Sequence, residues 1–149
     1  MDENLREVYR ALREAQNKYS YFLLAAAGAA IGLAVNQTQD VAMAWSQTPL
    51  AAAAISWGLS FLFGCRHLAY VNSNLYANAE LLRVQSGEHP EASKHPQIIA
   101  AASEGIRRAI ESNAERANRL GHLQFNFLVG GGFLYVVWHV LEMYLRGAS

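Results

Sequence analysis

The pattern along the chain is set by where charge stops. Residues 19–39, 41–65 and 120–141 run for 21, 25 and 22 positions without an Asp, Glu, Lys or Arg. A helix rises ~1.5 Å per residue, so ~20 mostly apolar residues cross the ~30 Å hydrocarbon core of a bilayer. Each stretch meets that length, and the pattern predicts three transmembrane helices with cores at residues 20–35, 49–65 and 123–141.

The segments between them repeat differently. In the N-terminal extension, residues 1–18, Leu5, Val8, Leu12 and Ala15 fall at three-four spacing and lead to Tyr19, with charges between them. No Gly or Pro precedes Gly28, so this helix is expected to run unbroken into the first span. Beyond the second span, Leu68, Val71, Leu75 and Leu82 continue a seam as far as Ser86-Gly87. The second helix is then about 38 residues, or ~57 Å, long. Gly87, Pro90 and Pro96 mark a turn over residues 86–97. A third helix starts near Pro96 with Ile98, Ile99, Ala102, Ile106, Ile110, Ala117 and Leu120 on one side. The expectation is an all-α, multi-pass membrane protein of one domain, residues 1–149. Residues 66–121 form a cytoplasmic helical hairpin, which joins the N-terminal extension in a three-helix stalk.

Composition sharpens this picture. Hydrophobic residues make up 52% and charged residues 16%, below the quarter usual in soluble domains. A soluble bundle is the competing reading, but core helices of such bundles keep a charged face, and a chain this small has little interior to hide three helices apolar all round. Net charge is zero, which excludes a globally basic nucleic-acid binder, and no nucleic-acid partner is expected. The single cysteine, Cys65, excludes a disulfide framework. A cleaved leader fits poorly, because residues 1–18 are long and carry four acidic side chains.

Arg6, Arg10, Arg13 and Lys18 precede the first span, and Arg66, Arg83, Lys94, Arg107, Arg108, Arg116 and Arg119 lie between the second and third. The loop at residues 36–48 carries only Asp40. Positive-inside bias therefore predicts a cytoplasmic N-terminus and hairpin, with the loop and the C-terminus outside an inner membrane.

Close-packing signals lie in the spans. Gly28 and Gly32 form a GxxxG pair, Ala52, Ser56, Ser60 and Gly64 form a small-residue row, and Gly130, Gly131 and Gly132 flatten the third span. Such rows serve either contacts within one chain or a subunit interface, and a homo-oligomer in membrane lipid is expected. Asn126 is an amide inside the third span, where an unbonded polar group is costly. With Ser56 and Ser60 it is a candidate pore lining. His139 and Glu142, with Asp40, are candidates for an outer mouth, and Glu142 stands four residues from Arg146. His67 and His122 end the second span and open the third, where a haem or metal would need them together. His89 and His95 share a loop with Glu88 and Glu91. Asn72, Asn74 and Asn78 form a polar stripe beside the hairpin seam.

Residues 116–122 read RANRLGH. This stretch resembles the R-x(4–6)-H element of HEPN-type ribonucleases, and the resemblance implies Arg116 and His122 acting on an RNA phosphodiester. It covers seven residues, and His122 opens a membrane span where that family has a soluble bundle cleft. No Gly-rich phosphate loop, HExxH, GxSxG or triad is present. The first expectation is therefore a homo-oligomeric channel without cofactor or catalytic set. The alternatives are a non-conducting scaffold that binds a cytoplasmic protein, and a membrane enzyme of the bis-His haem or HEPN-like kind.

Overall fold

The computed structural model describes residues 3–38, 45–88 and 95–147. Asp40, His89 and Glu91, and the side chain of Leu5, lie outside the described residues. The described residues are all-helical: α1 (Glu3–Thr38), a single 3-10 turn (Trp45–Gln47), α2 (Thr48–Gln85) and α3 (Pro96–Gly147). All three helices contain segments long and apolar enough to cross a membrane.

Local chemistry explains the ends. At the start of α2 the Thr48 hydroxyl donates to the Trp45 carbonyl at 2.8 Å, and Pro49 occupies the first turn, where its missing N–H costs nothing. α2 is 38 residues long and closes on Gly87, whose φ of +74° is left-handed. Gly87 N–H bonds the Val84 carbonyl at 3.2 Å and Glu88 N–H bonds the Arg83 carbonyl at 3.1 Å. That pair of bonds is the Schellman ending, and it needs glycine at its left-handed position. α3 opens on Pro96, with the His95 carbonyl accepting from Ile98 and Ile99.

The chain divides into two compact units, Met1–Cys65 with Gly121–Ser149, and Arg66–Leu120. In the first unit Leu23, Ala27 and Ala34 of α1, Leu50, Ala53 and Trp57 of α2, and Trp138 of α3 are buried. Trp57 lies against Tyr135, and Tyr135 against Trp138, with ring centroids 5.9 and 5.5 Å apart. The buried positions of α2 step by three and four from Leu50 through Ala53, Trp57, Ser60 and Gly64. On α3, Ala117, Gln124, Gly131 and Trp138 recur every seven residues and are all buried. This is the spacing of a coiled-coil seam.

The second unit is an antiparallel pair made of the end of α2 and the start of α3. His67 bonds the Ala117 carbonyl at 2.8 Å, and Asn113 donates to Ser73 at 3.3 Å. The inward positions of α2 here are Val71, Asn74, Ala77, Leu81 and Val84, not the expected line through Leu75 and Leu82, which are exposed. The correction has a simple cause. These positions keep the phase of the Ser60–Gly64 row, where the Ser60 hydroxyl bonds a carbonyl of α3 and the Gln124 side chain packs on Gly64. His67, Val71, Asn74, Leu81 and Val84 follow that phase, so the leucine side chains off it, Leu75 and Leu82, turn outward. Val8, Leu12 and Tyr19 of α1 are more than half exposed and belong to the first unit.

Candidate functional site

Several polar groups of the first unit are answered inside the chain, whereas Gln47 Oε1, Gln124 Nε2 and Trp138 Nε1 are buried without a hydrogen-bond partner. The Ser56 hydroxyl donates to the Phe127 carbonyl and the Ser60 hydroxyl to the Gln124 carbonyl, each at 2.7 Å. Between them Trp57 Nε1–H donates to the Leu128 carbonyl at 3.2 Å. The three donors lie on α2 and the three acceptors on α3. Each accepting carbonyl lies within a helix, so these bonds stitch two helices together. In hydrocarbon no water competes for them.

Glycine sets how close the helices come. A methyl group on Gly64 would sit 2.5 Å from Gln124 Nε2 and 2.7 Å from Leu24 Cδ2. One on Gly131 would sit 2.5 Å from the Trp57 indole nitrogen. Gly131 is therefore required by intrachain packing, and Gly64 makes room for the Gln124 and Leu24 side chains, with Ala52 half-buried in the same unit. Gly28 and Gly32 have no atom near the place of a Cβ, and their faces are open.

Gln124 escaped the reading of the sequence. It is 1% exposed, its Nε2 has no hydrogen-bond partner, and it fills the space left by Gly64. Its seven-residue spacing from Ala117 and Gly131 is the signal that would have found it. Asn126, only two residues on, is exposed. Two residues turn a helix by ~200°, so the two amides lie on opposite sides of α3. The three expected pore-lining residues are thus not brought together: Ser56 and Ser60 face α3, and Asn126 faces away.

At the other end of the unit, Gln47 Nε2 donates to Glu142 Oε1 at 3.4 Å, and Glu142 pairs with Arg146 at 3.6 Å. The Glu142 carboxylate is held between these two groups. His139 stacks on Tyr135 at 6.5 Å between centroids.

His67 lies in the second unit. Its Nδ1 faces a carbonyl oxygen, which only accepts, so the nitrogen carries hydrogen and donates. His122 is exposed in the first unit. No group of three or more His, Cys, Asp or Glu that could hold a metal occurs among the described residues. Arg116 lies over the Tyr70 ring, 6.0 Å from its centroid, and Cys65 is exposed. Asn78 donates to the Asn74 carbonyl at 2.9 Å, and the buried Asn74 Oδ1 has no partner.

No protein-family model, curated protein or solved structure matches the chain.

Proposed function

We propose that this chain is a three-span membrane scaffold, with its N-terminus and hairpin in the cytoplasm and the hairpin offering a docking stripe to a cytoplasmic protein. Membrane residence is supported by the outer surface of the first unit. Phe22, Ile55 and Phe133 are each about two-thirds exposed, at 67%, 66% and 68%, on spans without charge. Such a surface is costly in water and neutral in hydrocarbon. The orientation rests on the Arg and Lys bias.

The observation that carries the scaffold reading is the outward turn of Leu75, Tyr76 and Leu82. Tyr76 and Leu82 are 77% and 68% exposed on a hairpin whose other surface is rich in Arg, Glu and Asn. Leu75 and Leu82 share one line of α2 with Tyr76 about 100° round from it, and large apolar side chains beside water mark an interaction surface. The test is a photo-crosslinking residue placed at Tyr76 in cells. One cytoplasmic protein should be trapped at that position, and Leu82→Glu should abolish the adduct. No adduct, or one indifferent to Leu82→Glu, refutes the reading.

Conduction is the second reading, favoured by Asn126 on the outer face, where an assembly could line a path with it. It requires ion flux in liposomes that Asn126→Leu changes. Ser56 and Ser60 do not support it, because their hydroxyls serve the α2–α3 contact.

A further inference from the structure

We propose that α3 is the self-association helix of this protein: the outward stripe Asn126, Val129, Phe133, Val136 and Val140 packs against the same stripe of a second copy, with the Asn126 carboxamides bonded to each other. The proposal rests on the membrane reading above, and goes beyond it by naming a face and an occupant.

Three observations lead there. Asn126 is exposed, and no hydrogen bond within the chain meets its amide. Every other Ser, Asn or Gln inside the expected span cores is either bonded or buried: Ser20 donates to the Gln16 carbonyl, Ser56 and Ser60 to α3, and Gln124 is enclosed. Second, α3 is the span least covered by its own chain. Its most apolar window is 11% buried, against 22% for α1 and 28% for α2. Third, the stripe carries large side chains at three-four-three-four spacing, with Val129, Phe133, Val136 and Val140 all more than half exposed. Any helix packed on one side has an outward stripe of that spacing. The stripe on α3 is distinguished by combining bulky knobs with an unanswered amide.

The amide selects the occupant. Lipid chains cover Val and Phe well but offer nothing to a carboxamide. Asn126 lies seven residues past Arg119, about 10 Å along the helix, beyond the charged end of the span. A carboxamide carries both donors and an acceptor, so it pairs with another copy of itself. Copies inserted in the same direction bring α3 against α3 in parallel, which places Asn126 at the same depth in each. A polar residue in an otherwise apolar parallel seam fixes register and copy number, and in lipid such residues hold helices together.

The test uses the full-length protein in native membranes on a Cys65→Ala background. Single cysteines replace Val129, Phe133, Val136 and Val140 on the stripe, and Ile55 and Gly28 on the exposed faces of α2 and α1. Mild oxidation should give disulfide-linked dimers from the stripe positions and none from Ile55 or Gly28. Dimers confined to Gly28 would move the interface to α1 and overturn the proposal, and monomers throughout would overturn it too. In parallel, energy transfer between labelled copies in liposomes at fixed protein-to-lipid ratio should fall by about threefold or more for Asn126→Leu and persist for Asn126→Gln. Equal transfer in both variants defeats the amide's role. Asn126 makes no hydrogen bond inside the chain, so unchanged circular dichroism is expected in each variant. Resistance to carbonate extraction is measured first: a protein released by carbonate refutes the membrane reading, whereas an embedded monomer refutes only the α3 interface.

Discussion

Two neighbouring glycines on α3 give opposite answers to the same methyl group. On Gly131 the new carbon would lie 2.5 Å from Nε1, 2.6 Å from Cδ1 and 3.0 Å from Cε2 of Trp57. Ordinary contacts are ~3.5–4.0 Å, so the indole must shift by about 1 Å. It has nowhere to go: Trp57 is 4% exposed, leans on Tyr135 and donates to the Leu128 carbonyl. Overpacking costs ~1–3 kcal/mol and the strained hydrogen bond ~1 kcal/mol, offset by up to ~1 kcal/mol of helix propensity, so Gly131→Ala should destabilise by about 1–3 kcal/mol. On Gly132 the same carbon meets nothing within 4 Å. There alanine gains up to ~1 kcal/mol of helix propensity. The two variants should therefore differ by about 3 kcal/mol, on the order of a hundredfold in the folding equilibrium. Reversible unfolding by SDS in mixed micelles, followed by the near-ultraviolet dichroism of the tryptophans, measures this directly. Midpoints for Gly131→Ala and Gly132→Ala that agree to within about 0.5 kcal/mol, the scatter of ordinary surface changes, would refute the α2–α3 packing described here.

Three further outcomes are expected. Ser60→Ala removes one hydroxyl-to-carbonyl bond in a dry contact and should cost about 0.6–1.7 kcal/mol in the same titration; no loss would mean that the hydroxyl does not face α3. Gln124→Leu removes a buried amide whose Nε2 is unanswered, so stability should stay level or rise by about 1 kcal/mol, and a loss above that would show a partner for the amide. Gly87→Ala forces a side chain onto a φ of +74° and should loosen the end of α2 by about 1 kcal/mol. Faster hydrogen exchange limited to residues 82–88 checks it, and unchanged exchange there counts against the Schellman ending.

The helices were legible in the sequence because the relevant forces are local. Charge-free runs, a Gly at the left-handed close of α2 and a Pro at the start of α3 act through backbone geometry and the length of hydrocarbon to be crossed. The pair Glu142–Arg146 was legible for the same reason, since residues four apart on a helix are neighbours. Leu75 and Leu82 misled because hydrophobicity alone does not set the phase of a seam. The small row Ser56–Ser60–Gly64 does, by deciding which side of α2 another backbone can approach. Likewise Asn126 stood out in the sequence and Gln124 did not, because which amide turns inward depends on the rotation of α3.

The amino-acid order thus determined by itself that there are three long helices, where they begin and end, and which stretches suit hydrocarbon. Only the tertiary structure decided that Ser56, Ser60 and Gln124 turn inward and Asn126 outward. Helix formation follows from bonds between residues four apart, whereas the rotation of each helix follows from contacts between residues far apart in the chain, 71 positions at Ser56 and Phe127.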